Sequence, residues 1–407
     1  MSGSVKREAH EIAPAAHIIR SDEEAIAVAT EVAEALRPGA ADRDRNRTVP
    51  IEELKVVGNS GLLGITIPRE FGGADVHFET LAEVFCILGA ADPAIAQVPQ
   101  NHFVFVDVLR YEGTPEQKAM FLPRILAGAR LGNALAERGT SHTGDKRTKI
   151  TRDPKGGYRL NGKKYYCTGA YTAEIIPVLA MDEENRMTVA YVERNAEGLT
   201  AINDWTAMGQ RSTISGTVEL DNVWVEDRRV IPHYKRYLAP QISGATAQII
   251  HAAIQIGVGI NAMRDAVDFV RTKARPYFEA GVKNAGDDPH IIRQVGELTA
   301  RVHAAEELLR RAGRILEAAK NNLNADTAAA ASVAVAEAKA FGGEASIQTA
   351  SDIFSLAGAS ASDDRFALDR HWRNVRTHTL HDPARWKYFH IGNYVLNGIN
   401  PPNHGLI

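Results

Sequence analysis

From Asp22 onward, apolar residues recur at helical spacing. "DEEAIAVATEVAEALR" follows Ser21, a suitable N-cap, and "IEELKVVGNSGLL" repeats the pattern after Pro50. "FGGADVHFETLAEVFCILGAAD", "PAIAQVPQNHFVFVDVLRYEG" and "TPEQKAMFLPRILAGA" continue it, which predicts a helical region to residue 130. Between Leu131 and about Pro232 the pattern changes. "GYRLNGKKYYCTGA", "IIPVLAMD", "MTVAYVER", "LTAIND" and "GTVELDNVWVE" are short β-rich runs separated by Gly, Asn and Asp, and they predict a compact antiparallel sheet or barrel. After Ala239 the helices return and lengthen. "ATAQIIHAAIQIGVGINAMRDAVDFVRTKAR", "PHIIRQVGELTARVHAAEELLRRAGRILEAAKN" and "TAAAASVAVAEAKAFGGEASIQTASDIFSLAGA" carry wide apolar faces that call for partners on several sides, as in a four-helix bundle or a subunit interface. The expected class is α+β: a flexible N-terminus (1–20), an N-terminal helical domain (21–130), a central antiparallel β domain (131–238) and a C-terminal four-helix bundle with its tail (239–407).

Composition narrows the functions this architecture can serve. A net charge of -3 argues against nucleic acid or a membrane surface as a partner, because neutralising either needs a basic stripe. The two cysteines, Cys86 and Cys167, give neither a disulfide framework nor a thiolate metal site. A reducing cytoplasm is the simplest compartment, since the first residues lack a signal-peptide core and no run is long and apolar enough to span a bilayer. No glycine-rich dinucleotide fingerprint follows a strand, "GVGINA" lying inside a helical pattern, and the zinc-hydrolase and P-loop motifs are absent. These observations set aside Rossmann, zinc-protease and P-loop chemistry, and no metal is expected.

One segment stands out. "DRHWRNVRTHTLHDP", residues 369 to 383, holds three arginines and three histidines, with carboxylates only at Asp369 and Asp382. Its arginines, Arg370, Arg373 and Arg376, suit intersubunit ion pairs. "YEGT" at Tyr111 to Thr114 falls at a helix end in the N-terminal region, and Glu112 is not expected to be a base.

The order of "EFGGA", "GTPEQKAMFLPRILAG", "NALAERG", "YRLNGKKYYCTGA" and "MGQRSTISGTVELDNVWV" resembles the landmarks of the acyl-CoA dehydrogenase superfamily over nearly the whole chain after residue 20. "FVRTKARPY", "DDPHIIRQVGEL" and "DRHWRNVRTHTLHDP" are similar to its reduced-flavin monooxygenase branch, the dibenzothiophene monooxygenases and sulfur-acquisition oxidoreductases. The resemblance implies a flavin between the β domain and the C-terminal bundle, and a homotetramer built on that bundle. It places Asn133, Ala134 and Glu137 of the "NALAERG" stretch, and Cys167, Thr168 and Gly169 of the "CTGA" turn, against the flavin. Arg275 in "TKARPY" would hold the flavin phosphate, with Ala359 and Ser360 in the loop after the last long helix. His102 and His381 would face the ring. The loop "GTSHTGDKRTK" reads equally as an active-site lid or a solvated loop.

Two departures shape the expected activity. A dehydrogenase needs a carboxylate base to take a proton as hydride leaves. Where that base would align, this chain reads "RTHTLHDP", with Thr379 near the expected position and histidine close by. Positive and imidazole groups there favour oxygen activation, because they suit an anionic reduced flavin and can exchange protons. The chain is therefore expected to be a two-component monooxygenase that uses reduced FMN from a separate NAD(P)H:flavin reductase, and O2, to oxygenate a small organosulfur compound. Thr168, His381 and His102 would serve its chemistry. An FAD-dependent acyl-CoA dehydrogenase-like enzyme is the alternative. The second departure is Ser360, which stands where the related monooxygenases keep a cofactor-binding arginine, so FAD stays open beside FMN.

Overall fold

A computed structural model describes residues 16–142 and 144–407, so most of the expected flexible N-terminus lies outside the described residues. The N-terminal region is built from α1 (Asp22–Leu36), α2 (Ala40–Asn46), α3 (Ile51–Asn59), α4 (Phe78–Ala91), α5 (Pro93–Gln97), α6 (Gln100–Glu112) and α7 (Pro115–Leu126). Local chemistry sets several of these boundaries. Ser21 caps α1 by accepting the Glu24 N–H, and Thr114 and Gln117 form a reciprocal capping box at the start of α7. The single helix expected over "PAIAQVPQNHFVFVDVLRYEG" is two, since Pro99, which has no N–H to donate, stands between α5 and α6. That break leaves Gln97 at a helix end buried inside the molecule.

Among the described residues seven strands follow: β1 (Lys149–Arg152), β2 (Tyr158–Cys167), β3 (Ile175–Met181), β4 (Met187–Glu193), β5 (Leu199–Ile202), β6 (Gly216–Val225) and β7 (Val230–Ile231). They form one sheet in the order β5-β6-β2-β1-β3-β4-β7. The sheet is mixed, a difference from the antiparallel expectation. β1 runs parallel to β3, and the segment from Leu131 to Ala134 also runs parallel along β3. The chain can do this because β1 and β2 lie between that segment and β3, and β2 lies between β1 and β3, giving each parallel pair the long connection it needs. Between Lys164 and Cys167 the β2–β6 register breaks in a bulge, and Tyr166 there has a φ of 57°. The bulge re-aims the turn that carries Thr168.

The C-terminal helices are α8 (Ser243–Thr272), α9 (Pro289–Asn321), α10 (Ala325–Ala357), α11 (Asp369–His378) and α12 (Ala384–Asn397). The first three are the long members of the expected bundle. The fourth place is shared: α4 packs on α8 and α9, and α12 packs on α10. Small residues allow these close approaches. A Cβ on Gly257 of "GVG" would lie 2.4 Å from the Cys86 carbonyl oxygen of α4, and one on Gly259 would lie 2.7 Å from Ser346 Oγ of α10. The glycines that looked like a nucleotide motif are packing residues.

Candidate active site

The helical bundle meets the β domain at a buried cluster of polar side chains. On α8, Gln248, His251 and Gln255 recur every three to four residues and so share one face of an otherwise apolar helix. His378, the last residue of α11, sits among them. Its Nε2 is 2.7 Å from Gln97 Oε1 and 3.3 Å from His251 Nδ1, and its Nδ1 is 3.1 Å from Gln255 Nε2. Gln97 can only accept through Oε1 and Gln255 can only donate through Nε2, so His378 is the neutral tautomer protonated on Nε2. Burial, reinforced by His381 and the Lys339 ammonium nearby, pushes its pKa down to about 3. His251 is likewise driven well below the ordinary histidine value, first by burial and then by the same neighbours. These two rings are dipoles and not cations.

His381 is different. Its ring stacks on His251 with centroids 4.1 Å apart, and it is 41% exposed within one chain. Its Nδ1 is 3.3 Å from Asp382 Oδ1, which leaves Nε2 to the site. Asp382 is itself held by two lysines. Lys339 of α10 bonds its Oδ1 and also donates to Gln248 Oε1, while Lys387 of α12 lies 2.8 Å from Oδ2. Burial pushes the Asp382 carboxyl up, but the His381 hydrogen bond and the two ammonium groups together hold it well below the usual carboxylate range. A carboxylate so clamped is not a proton-abstracting base. Burial also lowers Lys339 to about 8 despite its carboxylate partner.

The β-domain side of the site is the bulged turn after β2. Gly169 has a φ of 71°, and a Cβ there would fall 2.9 Å from Val98 Cγ1 and 2.6 Å from Arg130 Nη1, so only glycine lets the turn close against the end of α5. Gly169, next to Thr168 in the chain, thereby meets Val98, the residue next to Gln97. Thr168 Oγ1 lies 2.7 Å from Ser215 Oγ. Asn133 Nδ2 donates to the Tyr166 carbonyl at 3.3 Å, whereas its buried Oδ1 has no partner. Gln100 Oε1, Gln255 Oε1, Thr377 Oγ1 and both side-chain polar atoms of Gln210 are also buried and unpaired. Gln210 and Thr377 lie where the loop before β6 meets α11, and orphaned amide and hydroxyl groups at such a junction are what a polar ring ligand would satisfy. The donors and acceptors on the pyrimidine edge of a flavin fit this set.

Other expected site residues take different roles. His102 is fully buried: Nε2–H donates to the Leu63 carbonyl at 2.9 Å, and Nδ1 accepts the Leu131 N–H at 3.0 Å. Both nitrogens are used, burial lowers its pKa to about 4, and no ring atom is left for chemistry. Its role is to anchor the segment that begins at Leu131. Ala134 gives its N–H to the Pro177 carbonyl and its carbonyl to the Leu179 N–H, so pairing with β3 uses its backbone. Cys167 points into the β core, and burial raises its thiol to about 12. Glu137 is engaged elsewhere as well. Lys164 reaches it at 2.5 Å, and the Arg147 and Thr148 N–H groups donate to it at 2.7 and 3.1 Å, so one carboxylate pins the returning end of the expected lid loop beside its start. Burial opposes ionisation there, but these donors bring Glu137 down to about 2.

Arg275, Ala359 and Ser360 lie elsewhere. α8 ends at Thr272, not at Arg275, and from His251 to that end the helix rises about 30 Å. From Lys339 to the end of α10, just before Ala359, the rise is about 27 Å. Arg275 and Ser360 thus stand several helical turns from the histidine and lysine of the cluster. Arg275 and Ser360 are exposed at that far end. Two of the three arginines of α11 are paired within the chain, which corrects the expected intersubunit pairing for them: Arg370 bonds Asp265 at 2.7 Å, and Arg373 bonds Asp44 and Asp369 at 2.6 Å each. Arg376 has no ion pair among the described residues. Glu112 contacts His233 Nδ1 at 3.0 Å, away from the cluster, as expected of a decoy.

Sequence reasoning missed Gln97, His251, Gln255, His378 and Lys339. A polar stripe at 248, 251 and 255 on an apolar helix was the available signal; nothing local marked Gln97 or Lys339.

A polar cluster between a helical bundle and a bulged sheet turn, flanked by an N-terminal helical region, is the plan of one class of flavoprotein. The chain belongs to the acyl-CoA dehydrogenase family: its N-terminal domain matches residues 22–129, its middle domain 133–223 and its C-terminal domain 249–386. Within it, the chain is 31% identical to a dibenzothiophene monooxygenase of Rhodococcus erythropolis over 94% of this chain and 95% of the relative. It is 29% identical to the probable FMNH2-dependent monooxygenase SfnC of Pseudomonas putida, over 93% and 96% of the two chains. The crystal structure of FMN-bound TdsC from Paenibacillus sp. A11-2 superposes with a TM-score of 0.90 at 29% identity, covering 94% of this chain and all of that one.

Proposed function

We propose that this chain is the oxygenase component of a two-component flavin monooxygenase. It takes reduced FMN from a separate NAD(P)H:flavin reductase and uses O2 to oxygenate a small organosulfur compound, a sulfone or sulfide. The carrying observation is the clamped Asp382. The dehydrogenase alternative needs a free carboxylate beside the flavin, whereas here Lys339 and Lys387 neutralise the carboxylate nearest that position and an imidazole stands before it. Similarity to an FMN-bound structure and to an FMNH2-dependent relative supports the cofactor.

Bound reduced flavin supplies the electrons that activate O2, of which one atom goes to the substrate and the other to water. The chain's residues do the rest. Asn133, Thr168 and Gln210 would hold the ring through their inward polar atoms. Gln97 and Gln255 fix His378, which with His251 gives His381 a rigid neutral wall. Asp382 turns His381 so that Nε2 holds or delivers a proton at the site. A lining of amides and imidazoles suits a small polar substrate. Glu137 pins the loop that would limit water entry.

The separation between the Thr168 half and the Arg275 half supports a homotetramer in which one protomer's Arg275 and Ser360 reach its neighbour's flavin. On α12, Trp386, Phe389, Val395 and Leu396 are exposed, the last two at 75% and 84%, and offer an apolar surface for that assembly. No helix among the described residues is long and apolar enough to cross a membrane, and dependence on NAD(P)H suits the cytoplasm.

The test supplies reduced FMN anaerobically, admits O2 with a panel of sulfones and sulfides, and quantifies oxygenated product. Wild type should form product, and His381→Ala should lose most of it with reduced flavin in excess. Unchanged turnover in His381→Ala would remove that residue from the mechanism.

A further inference from the structure

Behind the Thr168 turn, three hydroxyls form a relay whose direction is set at one end. The Gln210 carbonyl oxygen can only accept. Thr213 Oγ1 donates to it at 3.0 Å, beside Trp205 Nε1 at 2.8 Å and the Thr213 N–H at 3.2 Å. With its proton so used, Thr213 Oγ1 accepts from Ser215 Oγ at 2.7 Å. The Ser215 proton is then engaged, so Ser215 Oγ accepts from Thr168 Oγ1, also at 2.7 Å. All three residues are buried, which keeps bulk water from offering other partners. Thr168 therefore ends the relay with lone pairs to offer and no proton to give.

That polarity matters to a ring that changes its hydrogen-bonding face. On two-electron reduction, flavin N5 turns from an acceptor into an N–H donor. A hydroxyl that can only accept satisfies the reduced ring and meets the oxidised ring lone pair to lone pair. We propose that the Thr213–Ser215–Thr168 relay makes this site select reduced over oxidised flavin, with Ser215 and Thr213 as the specificity-determining positioning residues. The proposal rests on the reading above that the ring lies against the Thr168 turn.

The dissociation constants of oxidised FMN and of FMN reduced under anaerobic conditions test it directly, without turnover. Wild type should bind the reduced form more tightly. In Ser215→Ala the Thr168 proton is released and can turn to the ring, so the ratio of oxidised to reduced dissociation constants should fall about tenfold or more. Thr213→Val should lower the same ratio through a different residue, and Thr213→Ser, which keeps the hydroxyl, should preserve it. Two independent sites guard against a packing artefact in either one. A ratio unmoved in both Ser215→Ala and Thr213→Val, with flavin still bound, would overturn the proposal while leaving the flavin reading intact. A wild-type preference for oxidised FMN would show that the relay runs in the opposite direction and overturn it too. Binding of neither form would contradict the flavin reading itself, and the proposal with it.

Discussion

Lys339→Met replaces the ammonium that holds Asp382 with an apolar side chain of similar length. In the native chain Lys339 and Asp382 are 5% and 6% exposed, and Lys339 also satisfies Gln248 Oε1. Removing one member of a buried ion pair costs about 3–5 kcal/mol, because the other charge stays buried. Lys387 remains 2.8 Å from Asp382, so the expected loss lies near or just below the lower end of that range, about 2–3 kcal/mol. Asp382→Asn should cost as much or more, since it strands two lysines. The double variant Lys339→Met/Asp382→Asn should lose clearly less than the sum of the singles, because neither charge is left facing the other's vacancy. Urea unfolding at one fixed protein concentration measures all three, so that any concentration dependence is common to them. Single-variant losses under about 0.5 kcal/mol, or strict additivity, would refute the buried clamp.

Other outcomes follow from the same geometry. His102 has a folded pKa depressed to about 4 from 6.5, so its contribution is fully present above pH 6.5 and is lost as pH falls through 4; the stability gap between wild type and His102→Gln should narrow over that window, by up to about 3 kcal/mol in urea unfolding. Arg373→Met breaks its pairs with Asp44 and Asp369 and should lower stability by about 1–3 kcal/mol, while light scattering finds the oligomeric state unchanged. Leu396→Glu on the exposed face of α12 should do the reverse, shifting mass towards smaller species with little change in protomer secondary structure by circular dichroism.

Much of the fold was legible because period and punctuation agreed. The β-rich runs from Tyr158 to Val225 became strands, and the long apolar helices became α8, α9 and α10, since alternation and helical spacing are local properties of the chain. The parallel β1–β3 pairing was not, because it depends on which segments meet and not on any one segment's pattern. The site divided in the same way. The structure brings Thr168 to Ser215, Asn133 to the Tyr166 carbonyl and His381 onto the ring of His251. His102 lay within a similar motif but turned to the backbone of Leu63 and Leu131, a choice made by burial. Glu137 carried no sign of Lys164, which lies across the sheet, and the lysines that clamp Asp382 come from helices 43 residues before it and 5 after it. Pairings of that kind are set by tertiary packing, which no single segment reveals.

The most direct test of the central claim follows the oxygen atom. The protein is supplied with FMN, NADH and a flavin reductase under 18O2, with small sulfones and sulfides, and mass spectrometry reads the label in the product; a parallel sample receives acyl-CoA thioesters and an electron acceptor in the absence of reductase. The account predicts one 18O atom in the organosulfur product and no thioester oxidation. Thioester oxidation with no label in any sulfur compound would contradict it.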